Sequence, residues 1–323
     1  MAKYLIIRFS SIGDIVLTSP VIRCLKEQQP DCEIHFATKI QFKNLVENNP
    51  HITKVYAIKN EIDEIVADLK DENYDFVIDL HHNLRTARLK RKLKKPSAAF
   101  PKLNYQKFLL TKFKINRLPK IHIVDRYFKA VEKLGVINDN KGLDYFIPNQ
   151  DEINLADFGI ENSFIAFAIG AQFETKKLTI AKMIELINQL DSQVVLLGGE
   201  NDFDAGEEIK MKCKNVVNLS GRLNLNQSAH IIKQAQTVIT HDTGLMHIAA
   251  AFNKRTISIW GNTVPDFGMY PYQPNNESNY SIHQVENLKC RPCSKIGYQK
   301  CPKGHFKCMN NQDIAKIASA AKV

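Results

Sequence analysis

Residues 237–251 read Thr-Val-Ile-Thr-His-Asp-Thr-Gly-Leu-Met-His-Ile-Ala-Ala-Ala. The first four are β-branched residues that favour a strand, and the small apolar residues at the end of the stretch favour a packed helix face. A short polar loop with a glycine lies between them. A strand that runs through such a loop into a helix is the repeating unit of parallel α/β sheets. The stretch therefore predicts a Rossmann-like domain.

The same alternation extends over the rest of the chain in two blocks. It predicts strands over 3–9, 33–37, 54–58 and 76–80, and then over 164–169, 194–197, 216–219, 237–240 and 256–260. The pattern fades over 148–162, where we expect a linker. At about 150 residues per domain, 323 residues are long enough for two domains.

We therefore predict an α/β protein of two Rossmann-like doubly wound domains that face a central cleft. The first covers residues 1–150 and the second covers residues 151–323. A final helix is predicted over 313–321, and packing back on the N-terminal domain is one option for it. Ligands of such sheets bind at the carboxyl ends of the strands.

Composition limits the class of protein. Hydrophobic residues make up 44% and charged residues 24%, which are globular values that exclude a disordered, collagen-like or coiled-coil chain. No apolar run reaches the roughly 18 residues of a membrane span, and the opening residues are too short for a signal-peptide core. We expect a cytoplasmic protein.

The formal charge of +10 is concentrated in one segment. Residues 85–120 contain 13 basic residues and no acidic one, so the other residues carry 31 basic against 34 acidic groups. Such a segment attracts a polyanion, which could be nucleic acid, an anionic membrane or a phosphorylated substrate. The alternative is a solvated helix face.

The first strand leads into Ser10, Ser11, Ile12, Gly13 and Asp14 and then into a helix. Backbone N–H groups and the helix dipole favour an anion there, although Asp14 could equally be a capping residue. The chain contains neither a P-loop nor a Gly-x-Gly-x2-Gly fingerprint, which disfavours an NTPase or a dehydrogenase.

Three loops of the second domain carry the groups expected around a nucleotide diphosphate. Thr175, Lys176 and Lys177 offer a hydroxyl and two ammonium groups, and Thr243 and Gly244 open a helix at which a diphosphate could bind. The loop Gly198-Gly199-Glu200-Asn201-Asp202 offers carboxylates to ribose hydroxyls. For the loop that contains Thr243 and Gly244, capping by Asp242 and packing of His247 are the alternatives.

The stretches 8–20, 170–177 and 242–251 resemble the ADP-heptose:lipopolysaccharide heptosyltransferases, glycosyltransferase family 9. The resemblance covers nearly the whole chain in the same order. It implies a GT-B fold, a nucleotide-activated sugar donor, no bound catalytic metal and inversion at the anomeric carbon.

The resemblance also implies roles for individual residues. Asp14 corresponds to the general base and Lys176 to the phosphate-binding lysine. Lys177 remains the alternative, because Leu178-Thr179 stands where the family usually has Trp-Pro. Asp242 would bind sugar hydroxyls. The remaining donor-binding residues are Thr175, Glu200, Asp202, Thr243, Gly244 and His247.

Two sequence patterns could hold a metal ion. Asp202-Phe203-Asp204 matches the Asp-x-Asp pattern of metal-dependent transferases, and it is the rival to a metal-free mechanism. Four cysteines, Cys290, Cys293, Cys301 and Cys308, have a spacing that would allow a structural zinc ion. Free thiols are the alternative, and no cofactor is expected for catalysis.

The leading hypothesis is heptose transfer from ADP-heptose to an anionic, lipid-linked saccharide, the lipopolysaccharide inner core, at the inner face of the cytoplasmic membrane. A family relative with another nucleotide-sugar or acceptor is the alternative. A nucleic-acid-binding protein using 85–120 is the hypothesis from another class, but no nucleic-acid module is recognisable. Candidate residues for the acceptor and membrane are Ser10, Ser11, Gly13, Lys90, Arg91, Lys92, Lys94 and Lys95.

Overall fold

The computed structural model describes residues 1–160 and 163–322, and the chain divides into two compact units. The first unit contains Met1–Lys102 and Ile121–Phe146, and the second contains Leu103–Lys120 and Ile147–Val323. This corrects the predicted boundary at residue 150, because the segment 103–120 belongs to the second unit. The predicted linker includes Glu161 and Asn162, which lie outside the described residues.

The first unit is built on a parallel sheet with the strand order β3-β2-β1-β4-β5. Its strands are β1 (Lys3–Ile7), β2 (Glu33–Lys39), β3 (Lys54–Ile58), β4 (Phe76–Asp79) and β5 (Ser97–Ala99). Its helices up to residue 102 are α1 (Ile12–Val16), α2 (Ser19–Gln28), α3 (Asp63–Asp71) and α4 (Leu84–Leu93). The strand order reverses between β1 and β4, which is the switch point at which doubly wound sheets bind ligands.

The helix predicted after the first strand is divided into α1 and α2. Local chemistry explains the division. Pro20 lies at the second position of α2, where its missing N–H is tolerated, but it could not continue a helix that began at α1. The Thr18 hydroxyl donates to Ile15 O and the Ser19 hydroxyl donates to Val16 O, at 2.7 and 2.8 Å. These two bonds satisfy carbonyl oxygens at the C-terminal end of α1.

The segment after β5 is shared between the units. Helix α5 (Asn104–Phe113) belongs to the second unit, and α6 (Ile123–Phe128) belongs to the first. Leu110 of α5 is 7% exposed and packs with Val264 and Phe267. This apolar contact places the segment in the second unit, and composition alone could not show it.

The second unit has a six-stranded parallel sheet with the order β11-β10-β9-β6-β7-β8. Its strands are β6 (Phe164–Ala168), β7 (Gln193–Leu197), β8 (Val216–Asn218), β9 (Thr237–His241), β10 (Arg255–Trp260) and β11 (Tyr280–Gln284). Its further helices are α7 (Ile180–Ile187), α8 (Phe203–Lys212), α9 (Leu225–Gln234), α10 (Gly244–Ala251), α11 (Lys307–Asn310) and α12 (Ile314–Ala321). The switch point lies between β6 and β9.

The final helix packs on the second unit. Ile314, Ile317 and Ala318 of α12 are at most 2% exposed and share a core with Met183 of α7. An apolar stripe at this spacing buries one face of a helix. The helix therefore belongs to the core of the second unit.

Both units are Rossmann-like doubly wound α/β domains, which confirms the predicted fold class. The central strands, such as β1, β6 and β7, are buried on both faces, as the continuous apolar runs of parallel sheets require. Over residues 1–160 and 163–322, every helix is too short or too polar to span a membrane.

Candidate active site

The loop after β1 holds Asp14 in two ways. Its Oδ2 accepts hydrogen bonds from the Ser11 backbone N–H at 3.2 Å and from the Ser11 hydroxyl at 2.8 Å. Its Oδ1 lies 2.5 Å from Nη2 of Arg8. The capping interpretation of Asp14 is thus confirmed, and the ion pair is an additional contact that capping does not need.

Arg8 connects that loop to the neighbouring strand. The side chain is 6% exposed, and it donates from Nε to Ser10 O at 2.7 Å and from Nη1 to Leu80 O. A buried guanidinium is tolerated only when its donors are satisfied and its charge is paired. Arg8 therefore fixes the Asp14 carboxylate at the switch point of the first sheet. Ser10 thus contributes its carbonyl oxygen, while Gly13 is buried.

In the second unit, Lys176 and Asp242 come together from the ends of β6 and β9. Nζ of Lys176 lies 2.7 Å from Oδ2 of Asp242 and donates to Asp242 O at 3.1 Å. The Thr263 hydroxyl donates to the same Oδ2 at 2.8 Å. Because these carboxylate contacts use Oδ2, the Asp242 side chain is a lysine partner and not the predicted cap of α10.

Lys177 points to a different set of carboxylates. Its Nζ lies 2.5 Å from Oε1 of Glu174 and 3.3 Å from Oδ1 of Asp202. Burial opposes the charge of Lys177, but these two carboxylates outweigh it and raise its pKa. The two adjacent lysines therefore have separate partners, and only Lys176 contacts the loop that begins α10.

Thr175 differs from the prediction. Its side chain is 2% exposed, and its hydroxyl donates to Tyr298 O at 2.9 Å and accepts from the Tyr298 N–H at 2.8 Å. The Thr175 N–H also donates to Tyr298 O at 3.1 Å. The hydroxyl thus fastens the lysine loop to the cysteine-rich segment 290–308 and is occupied by that contact.

At the start of α10, Thr243 is the N-cap residue, and its side chain makes no capping hydrogen bond. Gly244 is the first helical residue. A helix end of this kind is a general anion site. His247 is 2% exposed within the helix and packs as a core residue, which is the alternative that the sequence left open.

The loop after β7 is organised by Asp202, which is 8% exposed and accepts from the Gly199 N–H at 3.0 Å. A Cβ at Gly170 would collide with Oδ2 of Asp202, so the glycine allows this carboxylate to approach the loop after β6. Asp202 is therefore a structural cap paired with Lys177, while Glu200 and Asp204 are exposed.

The cysteine-rich segment contains free thiols. Sγ of Cys290 lies 3.8 Å from Nε2 of His305, and Cys293 donates to Cys290 O. Burial raises the pKa of Cys293 to about 11 and that of Cys308 to about 12. In the part of the chain that the structure describes, no three His, Cys, Asp or Glu residues are placed to hold a metal ion. The zinc site stays a prediction.

The basic residues of α4 do not form one free cationic surface. Nζ of Lys90 lies 2.9 Å from Oδ2 of the fully buried Asp79, so this lysine neutralises an internal carboxylate. Lys92 pairs with Asp63 at 2.5 Å, and Lys95 donates to the Asn73 side chain. Of the five basic residues predicted to bind the acceptor or membrane, only two, Arg91 and Lys94, are exposed. Lys90 was predicted to bind the acceptor or the membrane, but it pairs with Asp79 instead. The sequence could not reveal that Asp79 is buried.

Three residues of the sites escaped the sequence analysis. Arg8 and Thr263 contact the two central aspartates, and His81 follows β4 at the switch point. The available signal was position, since Arg8 directly follows β1 and His81 lies two residues beyond β4.

Two doubly wound domains, the second with a lysine and a helix N-terminus at its switch point, have the GT-B fold. A family model described as glycosyltransferase family 9 (heptosyltransferase) matches residues 63–299. The chain belongs to this family.

Relatives and solved structures agree with that assignment. Lipooligosaccharide heptosyltransferase 2 of Haemophilus influenzae is 29% identical over 323 residues, which cover 91% of this chain and 92% of the relative. ADP-heptose lps heptosyltransferase II of E. coli has a TM-score of 0.69 at 20% identity, covering 96% and 98% of the two chains. E. coli heptosyltransferase WaaC with ADP-2-deoxy-2-fluoro heptose has a TM-score of 0.67 at 20% identity, covering 87% and 92%.

Proposed function

We propose that this glycosyltransferase moves a heptose from ADP-heptose to the inner core of lipopolysaccharide, with inversion and without a bound catalytic metal. The observation that carries the proposal is the Lys176, Asp242 and Thr263 group beside the N-terminus of α10. An ammonium group and a helix N-terminus at one switch point suit a sugar diphosphate. The named relatives are heptosyltransferases, which favours heptose among the possible sugars.

In the proposed reaction, the acceptor oxygen attacks the anomeric carbon while Asp14 accepts the proton of that hydroxyl. The bond from the anomeric carbon to ADP breaks, and ADP leaves with the electron pair. Lys176 stabilises the negative charge that develops on the leaving diphosphate. Oδ1 of Asp242, which is not used by Lys176 or Thr263, is the atom assigned to a sugar hydroxyl.

The donor is tested by measuring ADP release and thermal stability with a panel of nucleotide-sugars, each with and without EDTA. We expect turnover with ADP-heptose and heptose-free lipopolysaccharide, and no loss of turnover with EDTA, because Lys176 supplies the positive charge. A donor at 100 times its Kd should stabilise the folded protein by about 2.7 kcal/mol.

Two outcomes of the same panel would contradict the proposal. Stabilisation and turnover with a different nucleotide-sugar would replace ADP-heptose as the donor. Loss of turnover in EDTA that magnesium or manganese restores would reject the metal-free mechanism and return attention to Asp202 and Asp204. UDP-glucose and GDP-mannose, which differ from ADP-heptose in both base and sugar, serve as negative controls.

We also propose that the protein works in the cytoplasm as a peripheral protein of the inner membrane, and that α5 makes the lipid contact. Tyr105, Phe108 and Phe113 of α5 are 66%, 47% and 61% exposed. The exposed cations in the last turn of α5 and in the segment after it are Lys112, Lys114, Arg117 and Lys120. Aromatic rings flanked by cations suit an anionic lipid surface, where each cation contributes about 1 kcal/mol. Leu110, the buried residue of the same helix, anchors it on the second unit.

The membrane contact predicts that the double variant Phe108→Ser with Phe113→Ser binds anionic vesicles at least ~10-fold more weakly. Co-sedimentation with vesicles containing an anionic phospholipid measures this binding, and high salt should weaken it in the unmodified protein. The control is Ile137→Ser with Met211→Ser, which removes two other exposed apolar side chains, 71% and 79% exposed. Equal losses in both variants, or none in the α5 variant, would reject α5 as the lipid contact.

A further inference from the structure

His81 lies at the switch point of the first sheet, next to the loop that holds Asp14. Strands β1 and β4 are parallel neighbours with Ile7 opposite Asp79, so the residues after each strand emerge side by side. Phe9, two residues beyond β1, meets the ring of His81 edge to face at 5.6 Å between centroids. This is the position at which a doubly wound sheet binds its ligand.

The backbone around His81 is fixed by a buried carboxylate. Oδ1 of Asp79 accepts from the His81 N–H at 3.1 Å and from the His82 N–H at 2.6 Å. The other oxygen of Asp79 is neutralised by Lys90. The preceding carbonyl, Leu80 O, accepts from Arg8, and Arg8 holds Asp14. A continuous set of contacts thus joins His81 to Asp14.

The His81 ring offers polar chemistry that the protein does not use. The side chain is half-buried, its Nδ1 is buried, and no side chain or backbone group in the described ranges forms a hydrogen bond with that nitrogen. Burial, with the positive charges of Arg8 and Lys102, lowers the pKa of His81 to about 4 although Asp14 and Asp79 oppose the shift. The ring is therefore neutral at physiological pH, with one N–H donor and one acceptor nitrogen.

A neutral imidazole can hydrogen-bond a sugar hydroxyl through its N–H. An anionic substituent would be met by Arg8 or Lys102, whereas a hydroxyl can both donate and accept. Nδ1 is enclosed, and leaving a lone pair unpaired is less costly than leaving an N–H unpaired, so the proton is assigned to Nε2.

We propose that His81 is an acceptor-binding residue, whose Nε2–H donates to a hydroxyl of the acceptor sugar next to the one that Asp14 deprotonates. This inference rests on the proposed function and names a residue of the acceptor site. The hydrogen bond orients the sugar in its ground state and its transition state alike, so it contributes to acceptor affinity.

Direct binding tests this role without the donor or a membrane. The probe is the deacylated, water-soluble saccharide of heptose-free lipopolysaccharide, with its Kd measured by calorimetry for unmodified protein, His81→Ala and His81→Asn. We expect the Kd to rise ~10–100-fold in His81→Ala, the range for losing one well-placed hydrogen bond. His81→Asn keeps an N–H donor and should recover part of the affinity.

His82→Asn is the matched control. It changes the adjacent histidine, whose φ of 50° suits asparagine, and the saccharide Kd should not change. A melting temperature for each variant shows whether the fold is kept. Unchanged saccharide affinity in folded His81→Ala, or no saccharide binding by the unmodified protein, would overturn the inference.

Turnover separates this inference from the proposed function. With ADP-heptose as donor, His81→Ala should raise the acceptor KM and leave the ADP-heptose KM unchanged. If the unmodified protein binds the saccharide but does not use ADP-heptose, the proposed donor is wrong and the His81 result still stands on the Kd. An inflection of acceptor kcat/KM between pH 6 and 7 that His81→Asn removes would show a charged role and overturn the neutral one.

Discussion

Asp14→Asn is expected to lower turnover at least ~100-fold while leaving ADP-heptose binding unchanged, because an amide cannot accept the proton of the acceptor hydroxyl. The substitution keeps the shape of the side chain, and its amide oxygen can still accept from the Ser11 N–H. It removes the negative charge that faces the buried Arg8. The variant should therefore also melt at a lower temperature, since a buried guanidinium loses its partner.

Single-turnover ADP release and a thermal melt, measured on the same preparation, separate these two effects. Ser11→Ala removes the hydroxyl that donates to Asp14 but keeps the carboxylate, so it controls for loss of the cap. We expect turnover of this variant to fall less than that of Asp14→Asn, because the carboxylate that accepts the proton is kept. Turnover of folded Asp14→Asn within ~10-fold of the unmodified protein would show that another group removes the proton.

How far the fold can be predicted depends on the strength of the local pattern. The central strands are apolar runs buried on both faces, and all nine predicted strands occur. Strands β5 and β11 are sheet edges and are only partly buried, so they lack that pattern. Membership of α5 in the second unit depends on Leu110 meeting Val264 and Phe267, a contact between distant parts of the sequence.

The candidate site shows the same division. The predicted strand ends showed where Asp14, Lys176 and Asp242 would lie, because parallel strands end at one edge of a sheet. The partners of each side chain could not be predicted. Thr175 is bonded to a backbone 123 residues away, and Lys90 neutralises an aspartate that is buried only in the folded chain.

The choice between Lys176 and Lys177 illustrates what geometry adds. The missing Trp-Pro left Lys177 open as the alternative to Lys176, whereas the contacts of the two lysines distinguish them. Lys176 lies against Asp242 and the start of α10, and Lys177 lies between Glu174 and Asp202. We therefore expect the two alanine variants to fail in different measurements.

Lys176→Ala should lower kcat ~100-fold or more, the usual effect of removing one group that stabilises charge developing in the transition state. Its stability should fall modestly, because Asp242 loses its ammonium partner but keeps its bond from the Thr263 hydroxyl. Steady-state ADP release gives kcat and the ADP-heptose KM. We expect the fall in kcat to exceed the rise in KM, since the charge appears only as ADP departs.

Lys177→Ala is the matched comparison, and its main effect should be on stability. Asp202 is 8% exposed, and removing Lys177 leaves this carboxylate with the Gly199 N–H but without its cation. Uncompensated burial of a charge costs about 3 kcal/mol, so the melting temperature should fall by several degrees while kcat falls less than in Lys176→Ala. A larger fall in kcat for Lys177→Ala, in protein that remains folded, would move the phosphate-binding role one residue along the chain. Because Lys177 shares no carboxylate with Lys176, the two outcomes cannot arise from a common loss of Asp242, and the comparison assigns the leaving-group role to one lysine.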